Sequence, residues 1–221
     1  APSEMCIRDS VSAALRLTAK GGATLKISPY YTRVNDYIDA VHLQDLTDMM
    51  GMPSGFVQLQ FANQDAEFYG VDVSASVPLQ RSAHVETSFT ASAAYVHGRN
   101  LSDGGPLYRQ MPLDLKMGLA HRIDALELGA DVEFVADKNR VDATRNEPRT
   151  RGYALVDLRA GYTLPLWAKG LKLTVEAKNL FDAGYDLPLG GMSLGDYGAT
   201  GVLRPVPGMG RSINLGLSTR F

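Results

Sequence analysis

The residues best suited to binding are concentrated in one stretch, His42-Leu43-Gln44-Asp45-Leu46-Thr47-Asp48-Met49-Met50-Gly51-Met52. Thioether sulfurs beside an imidazole suit a soft metal such as copper(I), which makes His42, Met49, Met50 and Met52 candidate substrate contacts. Methionine is also an adaptable packing residue, and packing is the weightier of the two readings here. Tyr108, Met192 and Tyr197, in later irregular stretches, complete the candidate substrate-binding set. His84, His97 and His121 lie far apart with no ligand spacing between them, so each reads as a polar wall or rim residue. Serines are spread along the whole chain and single out no Ser/His/Asp arrangement. Acids and bases alternate with apolar residues throughout, which marks a solvated face of mixed sign rather than a catalytic carboxylate pair. The chain reads as a non-enzyme with no cofactor; whether it holds a metal is left open.

The elements that must position these residues announce themselves by period-two alternation. In 125–136, Leu126, Leu128, Ala130, Val132, Phe134 and Ala136 fall on one side and Glu127, Gly129, Asp131 and Glu133 on the other. The pattern recurs with Val85, Phe89, Ala91 and Ala93 against Glu86, Ser88 and Ser92, and with Leu171, Leu173 and Val175 against Lys172, Thr174 and Glu176. About nine strands follow, roughly 11–19, 23–41, 56–77, 83–97, 112–121, 125–137, 150–164, 171–180 and 210–221. Their links alternate between short (20–22, 78–82, 122–124, 165–170) and long (about 42–55, 98–111, 138–149, 182–209). A soluble sandwich has no reason to segregate its links in this way, whereas an outer-membrane barrel has short periplasmic turns at one rim and long extracellular loops at the other. The fold class expected is therefore all-β: an antiparallel transmembrane β-barrel. Trp167, Tyr153, Tyr162 and Phe221 suit its interfacial aromatic girdles.

Bacterial single-chain barrels have an even number of strands, so nine strands imply an incomplete barrel, with the upward partner of the first strand lying before residue 11. Residues 3–10, Ser3-Glu4-Met5-Cys6-Ile7-Arg8-Asp9-Ser10, resemble a translated sequencing-library adapter, and 1–10 are read as a non-native leader. Cys6, the one cysteine, lies within it. Disulfides, thiol nucleophiles and zinc–thiolate sites are therefore not expected in 11–221. No run approaches the roughly 18 apolar residues of a spanning helix. A net charge of −2 over 221 residues supplies no basic face for nucleic acid.

The terminal strand carries Ile213, Leu215, Leu217, Thr219 and Phe221 on one side, and a closing Phe221 resembles the assembly signal read by the barrel assembly machinery. More specific is the order of Lys178-Asn179-Leu180-Phe181-Asp182, Tyr185, a Gly-rich loop, then Pro207-Gly208-Met209-Gly210-Arg211-Ser212 and Thr219-Arg220-Phe221. It is similar to the carboxyl-terminal end of TonB-dependent receptors, in which an N-L-F-D-x-x-Y block closes the penultimate strand and a P-G-x-x-R segment opens the last. Tyr69-Gly70-Val71-Asp72 and Met111-Pro112 add to the likeness. Leu187-Pro188-Leu189-Gly190-Gly191 and Val206-Pro207-Gly208-Met209-Gly210 look similar to the ends of copper-associated receptors of that family.

The resemblance implies a barrel of about 22 strands filled by an amino-terminal plug, of which this chain holds about nine strands and neither the plug nor the TonB-contacting segment. It further implies residence in the outer membrane of a Gram-negative bacterium, in contact with its lipid. The activity implied is TonB-dependent uptake of a small-molecule or metal-complex substrate: a metal–siderophore, a metal ion complex or a cobalamin-like molecule. A passive porin or an outer-membrane barrel enzyme is the alternative.

Overall fold

A computed structural model describes residues 6–164 and 170–219. Ten strands are present: β1 (Ile7–Ser12), β2 (Leu15–Thr18), β3 (Thr24–Thr47), β4 (Pro53–Arg81), β5 (Val85–Asn100), β6 (Asp114–Ile123), β7 (Leu126–Val135), β8 (Tyr153–Leu164), β9 (Leu171–Lys178) and β10 (Ser212–Thr219). They form one antiparallel sheet, each strand beside its neighbour in sequence, with β1 and β2 both on β3. Those two form a single edge line. Ser12 faces Tyr30 and Leu15 faces Ile27, the same register on either side of the gap. Pro29 lies opposite that gap. It accepts a bond from the Ala13 N–H at 3.1 Å but has no N–H to return, so the ladder lapses there. Ten strands thus occupy nine places, as the alternation predicts. The sheet is an incomplete barrel, open at the β1–β2 line and at β10.

Register turns the alternation of single strands into continuous bands. Leu25, Ala75, Ala91, Met117, Val132 and Val156 lie in one cross-strand row. Displaced by one residue, Lys26, Ser74, Ser92, Lys116 and Glu133 form a polar row on the other face. Neighbouring charges on that face pair across strands, Lys116 with Glu133 at 3.0 Å and Arg122 with Glu86 at 2.7 Å. The polar face is the interior, because the loop after β5 folds onto it: Leu107 packs against Val34 and Ala66, with Tyr37 and Phe68 alongside. The apolar face carries exposed Leu119, Leu128, Phe134, Leu158 and Leu173, the pattern expected of the outer face of a transmembrane barrel. Toward the upper end of that face Tyr31 lies opposite Tyr69, and Tyr69 stacks on His97 at 4.6 Å between ring centroids. Tyr153, expected in a girdle, shares the parity of interior Asp157 and packs on Tyr185 at 4.4 Å. Trp167 and Phe221 lie outside the described residues.

One loop differs from expectation. The link expected over 42–55 is mostly strand, since β3 and β4 keep pairing as far as Thr47 and Pro53. With 24 and 29 residues, they far exceed the roughly 10 that cross a membrane. Their upper halves form a ribbon standing clear of the rim. Register shifts between Val34 and Tyr37, His42 and Gln44, and Asp45 and Thr47 break strict alternation and add twist, which is why the sequence here reads as irregular. The other long links are loops: 101–113, 136–152 and 179–211.

The backbone groups along both free edges have no ladder partner among the described residues, and such edges are unsatisfiable in hydrocarbon. Residues 11–221 refolded alone in detergent are expected to aggregate instead of giving a heat-modifiable, protease-resistant monomer on a gel. A stable monomer would refute this.

Candidate ligand mouth

The ribbon tip is built around Asp48. Its Oδ1 accepts the N–H of Met50 at 2.8 Å and of Met52 at 2.9 Å, while Gly51 takes the left-handed φ of 76° that closes the turn. Met49, Met50 and Met52 stand in solvent at 107%, 89% and 62% relative exposure. His42 sits lower on the ribbon, in β3, where Nε2 is 2.9 Å from the Asp45 carboxylate.

The other candidates occupy separate loops. Tyr108 lies in the 101–113 loop with the Arg145 guanidinium 4.7 Å above its ring. Met192 is bridged to Pro205 inside the 179–211 loop. Tyr197 belongs to a short helix, α1 (Leu194–Thr200), started by the Ser193 side chain and ended at left-handed Gly201. Its ring meets Phe56 of β4 edge-on at 5.4 Å, which brings the last long loop against the ribbon beneath the methionines. Tyr197 is therefore drawn toward the tip, whereas no contact joins Tyr108 or Met192 to it among the described residues. The remaining histidines are dispersed: His84 pairs with Asp124 at 2.7 Å across two short turns, and His121 with Thr87 at 2.8 Å.

Sequence reasoning missed the residues that hold the loops together. Lys138 and Glu147 form a buried ion pair at 2.6 Å in the 136–152 loop. Asp142 caps the 3₁₀ turn Ala143–Arg145 by accepting the Thr144 N–H at 2.9 Å. Burial pushes its carboxyl above the usual range, against the pull of that bond and of the Arg145 charge. Arg145 also pairs with Asp39 of β3, which ties the 136–152 loop to the ribbon. The only sequence signal was a loop dense in opposite charges, which looks the same whether solvated or buried.

Among the described residues no three of His, Cys, Asp and Glu converge to hold a metal ion.

A family model described as TonB dependent receptor-like, beta-barrel matches residues 8–180. A search of curated proteins gave no match. Among solved structures, the copper transporter OprC superposes with a TM-score of 0.76 at 25% identity, covering 93% of this chain and 30% of OprC. The FrpB iron transporter from Neisseria meningitidis gives 0.64 at 15% identity, covering 95% and 30%. The ferripyoverdine receptor of Pseudomonas aeruginosa gives 0.63 at 15%, covering 93% and 26%. The chain thus spans under a third of the length of these proteins.

Proposed function

The chain belongs to the TonB-dependent receptor-like β-barrel family, and on that premise we propose that it forms the closing wall and part of the ligand mouth of an outer-membrane receptor for a scarce metal nutrient. The reading is of binding and active uptake without covalent chemistry. TonB acts through a plug in the remainder of the receptor, outer-membrane lipid surrounds the wall, and the assembly machinery reads the terminal strand.

Within the metal-nutrient class we favour copper, as the ion or a small complex, over a ferric siderophore or a cobalamin-like molecule. The observation that carries this is the ribbon tip, where Met49 and Met50 stand almost wholly in solvent and Met52 mostly so. Leaving apolar side chains so exposed gives no folding advantage, and thioethers are donors for copper(I) rather than for ferric iron. The 25% identity to a copper transporter supports the same choice.

The test is copper uptake by Gram-negative cells carrying the whole receptor, with copper kept reduced by ascorbate. Uptake is expected to require TonB. Replacing Met49, Met50 and Met52 together by Leu should raise the half-saturating copper concentration by about tenfold, the effect of losing about 1.4 kcal/mol of contact. Uptake that persists without TonB would point instead to a passive porin. A triple variant indistinguishable from the parent would remove the tip from substrate capture.

A further inference from the structure

Three loops from different parts of the chain converge on two charged side chains. Lys138 and Glu147 each leave only 2% of the side chain exposed. Two charges withdrawn this far from water are tolerated only where further hydrogen bonds support them, and here loop backbone supplies such bonds. Lys138 Nζ donates to the Pro188 carbonyl in the 179–211 loop at 2.6 Å. Glu147 Oε1 accepts the Arg109 N–H of the 101–113 loop at 2.8 Å, and Oε2 accepts the Asp142 N–H of its own loop at 2.8 Å.

The contacts are reciprocated. Arg109 sends its guanidinium back to the Leu189 carbonyl at 3.0 Å. Its backbone sits at a φ of 59°, a conformation a side-chain-bearing residue keeps only where its surroundings over-determine it. The amide of Gln110, next along, donates to the Gly98 and Leu107 carbonyls at 2.8 and 2.7 Å. That pins the same loop to the barrel wall. All of these partners belong to the protein itself.

We infer that Lys138 and Glu147 are positioning residues that clasp loops 101–113, 136–152 and 179–211 into one cap before substrate arrives, so that the mouth is preformed and not ordered by its ligand. A preformed mouth avoids the entropy of ordering three loops at each capture. The consequence for uptake rests on the function proposed above. The clasp does not, and it can be measured with no substrate present.

Hydrogen exchange on the whole receptor in detergent micelles, without metal, tests it first. The Arg109 and Asp142 amides should exchange as slowly as amides of the barrel strands, and exchange at open-loop rates would overturn the proposal. Glu147→Gln keeps the shape but offers one carbonyl oxygen to two backbone N–H groups, and should speed exchange at Arg109 or Asp142 by about tenfold or more. Lys138→Met should expose the 179–211 loop to protease. Unchanged protection in both variants overturns the clasp, and if neither variant assembles, exchange in the parent receptor still decides. In uptake, released loops should raise the half-saturating copper concentration and leave the plateau rate per receptor unchanged. Released loops with unchanged half-saturation would overturn the positioning role. Absence of copper uptake by the parent would fault the proposed substrate and leave the clasp standing.

Discussion

Arginine in place of Leu158 is expected to destabilise the assembled receptor by about 2–4 kcal/mol, while arginine in place of Thr90, on the opposite face of the same wall, changes stability by less than about 0.5 kcal/mol. Leu158 lies in the row Phe89, Leu119, Ala130, Leu158, Ala177, Ile213. That row crosses β6 and β7 near their middles, which in the proposed outer-membrane setting is the depth at which a guanidinium is farthest from water. Thr90 belongs to the adjoining interior row with Gly118, Asp131 and Asp157, where a guanidinium meets polar side chains and the Asp131 carboxylate instead of hydrocarbon. Urea-dependent folding of the whole receptor into lipid vesicles measures both. Equal costs for the two substitutions would mean that the apolar face does not meet lipid, and a water-soluble sandwich would then be the better account.

The reason that contrast can be assigned to particular residues is also the reason the barrel could be read from the sequence. A strand between lipid and water has one demand per residue, and the demand reverses at every step, so Leu126 to Val135 declares both its conformation and its facing. Register follows, because a slip of one residue would invert every side chain. Above the rim that pressure disappears. The upper halves of β3 and β4 stand largely in water apart from buried Asp39 and Ala40, and Ile38, Leu43, Leu59 and Phe61 are all exposed there, so strict alternation lapses and the sequence of 42–55 reads as a loop. The cap was illegible for a different reason. What distinguishes Lys138 from the solvent-exposed Arg140 is the arrival of Pro188, fifty residues on, and no local pattern encodes that. The candidate residues fared between these limits. Met49, Met50 and Met52 form one exposed group because a single turn holds them, whereas grouping them with Tyr108 and Met192 needed a loop arrangement that spacing cannot supply.

Substituting Asn179 by Leu at the β9–β10 junction is expected to cost about 3–5 kcal/mol. The family motif marks this residue, and the structure explains why. Asn179 is 4% exposed and has a φ of 47°, a left-handed conformation that asparagine tolerates and leucine resists. Its side-chain amide donates to the Ala183 carbonyl at 2.9 Å and the Met209 carbonyl at 3.2 Å, and its oxygen accepts the Ala183 N–H at 2.8 Å. One residue therefore turns the chain out of β9 and grips the segment leading into β10. Asp182 does the same a turn later, accepting the Arg211 N–H at 2.8 Å. Leucine would leave all three partners of the Asn179 amide unpaired and strain the backbone as well. Asn179→Gly separates the two losses, since glycine accepts the left-handed φ and should recover about 1 kcal/mol while the bonds stay broken. Gly208 completes the junction in the same sense, because a Cβ there would fall within the ring of Tyr185. Gly208→Val should cost several kcal/mol by overpacking, and much of that loss should disappear when Tyr185 is changed to Ala in the same chain. Urea unfolding of the parent, Gly208→Val, Tyr185→Ala and the double variant tests this as a double-mutant cycle: a coupling near zero would show that the glycine is required for its backbone and not for the ring. A large coupling would mean that the P-G half of the motif exists to seat the tyrosine of the N-L-F-D-x-x-Y half, so that two segments more than twenty residues apart act as one fastening of β10 to the wall.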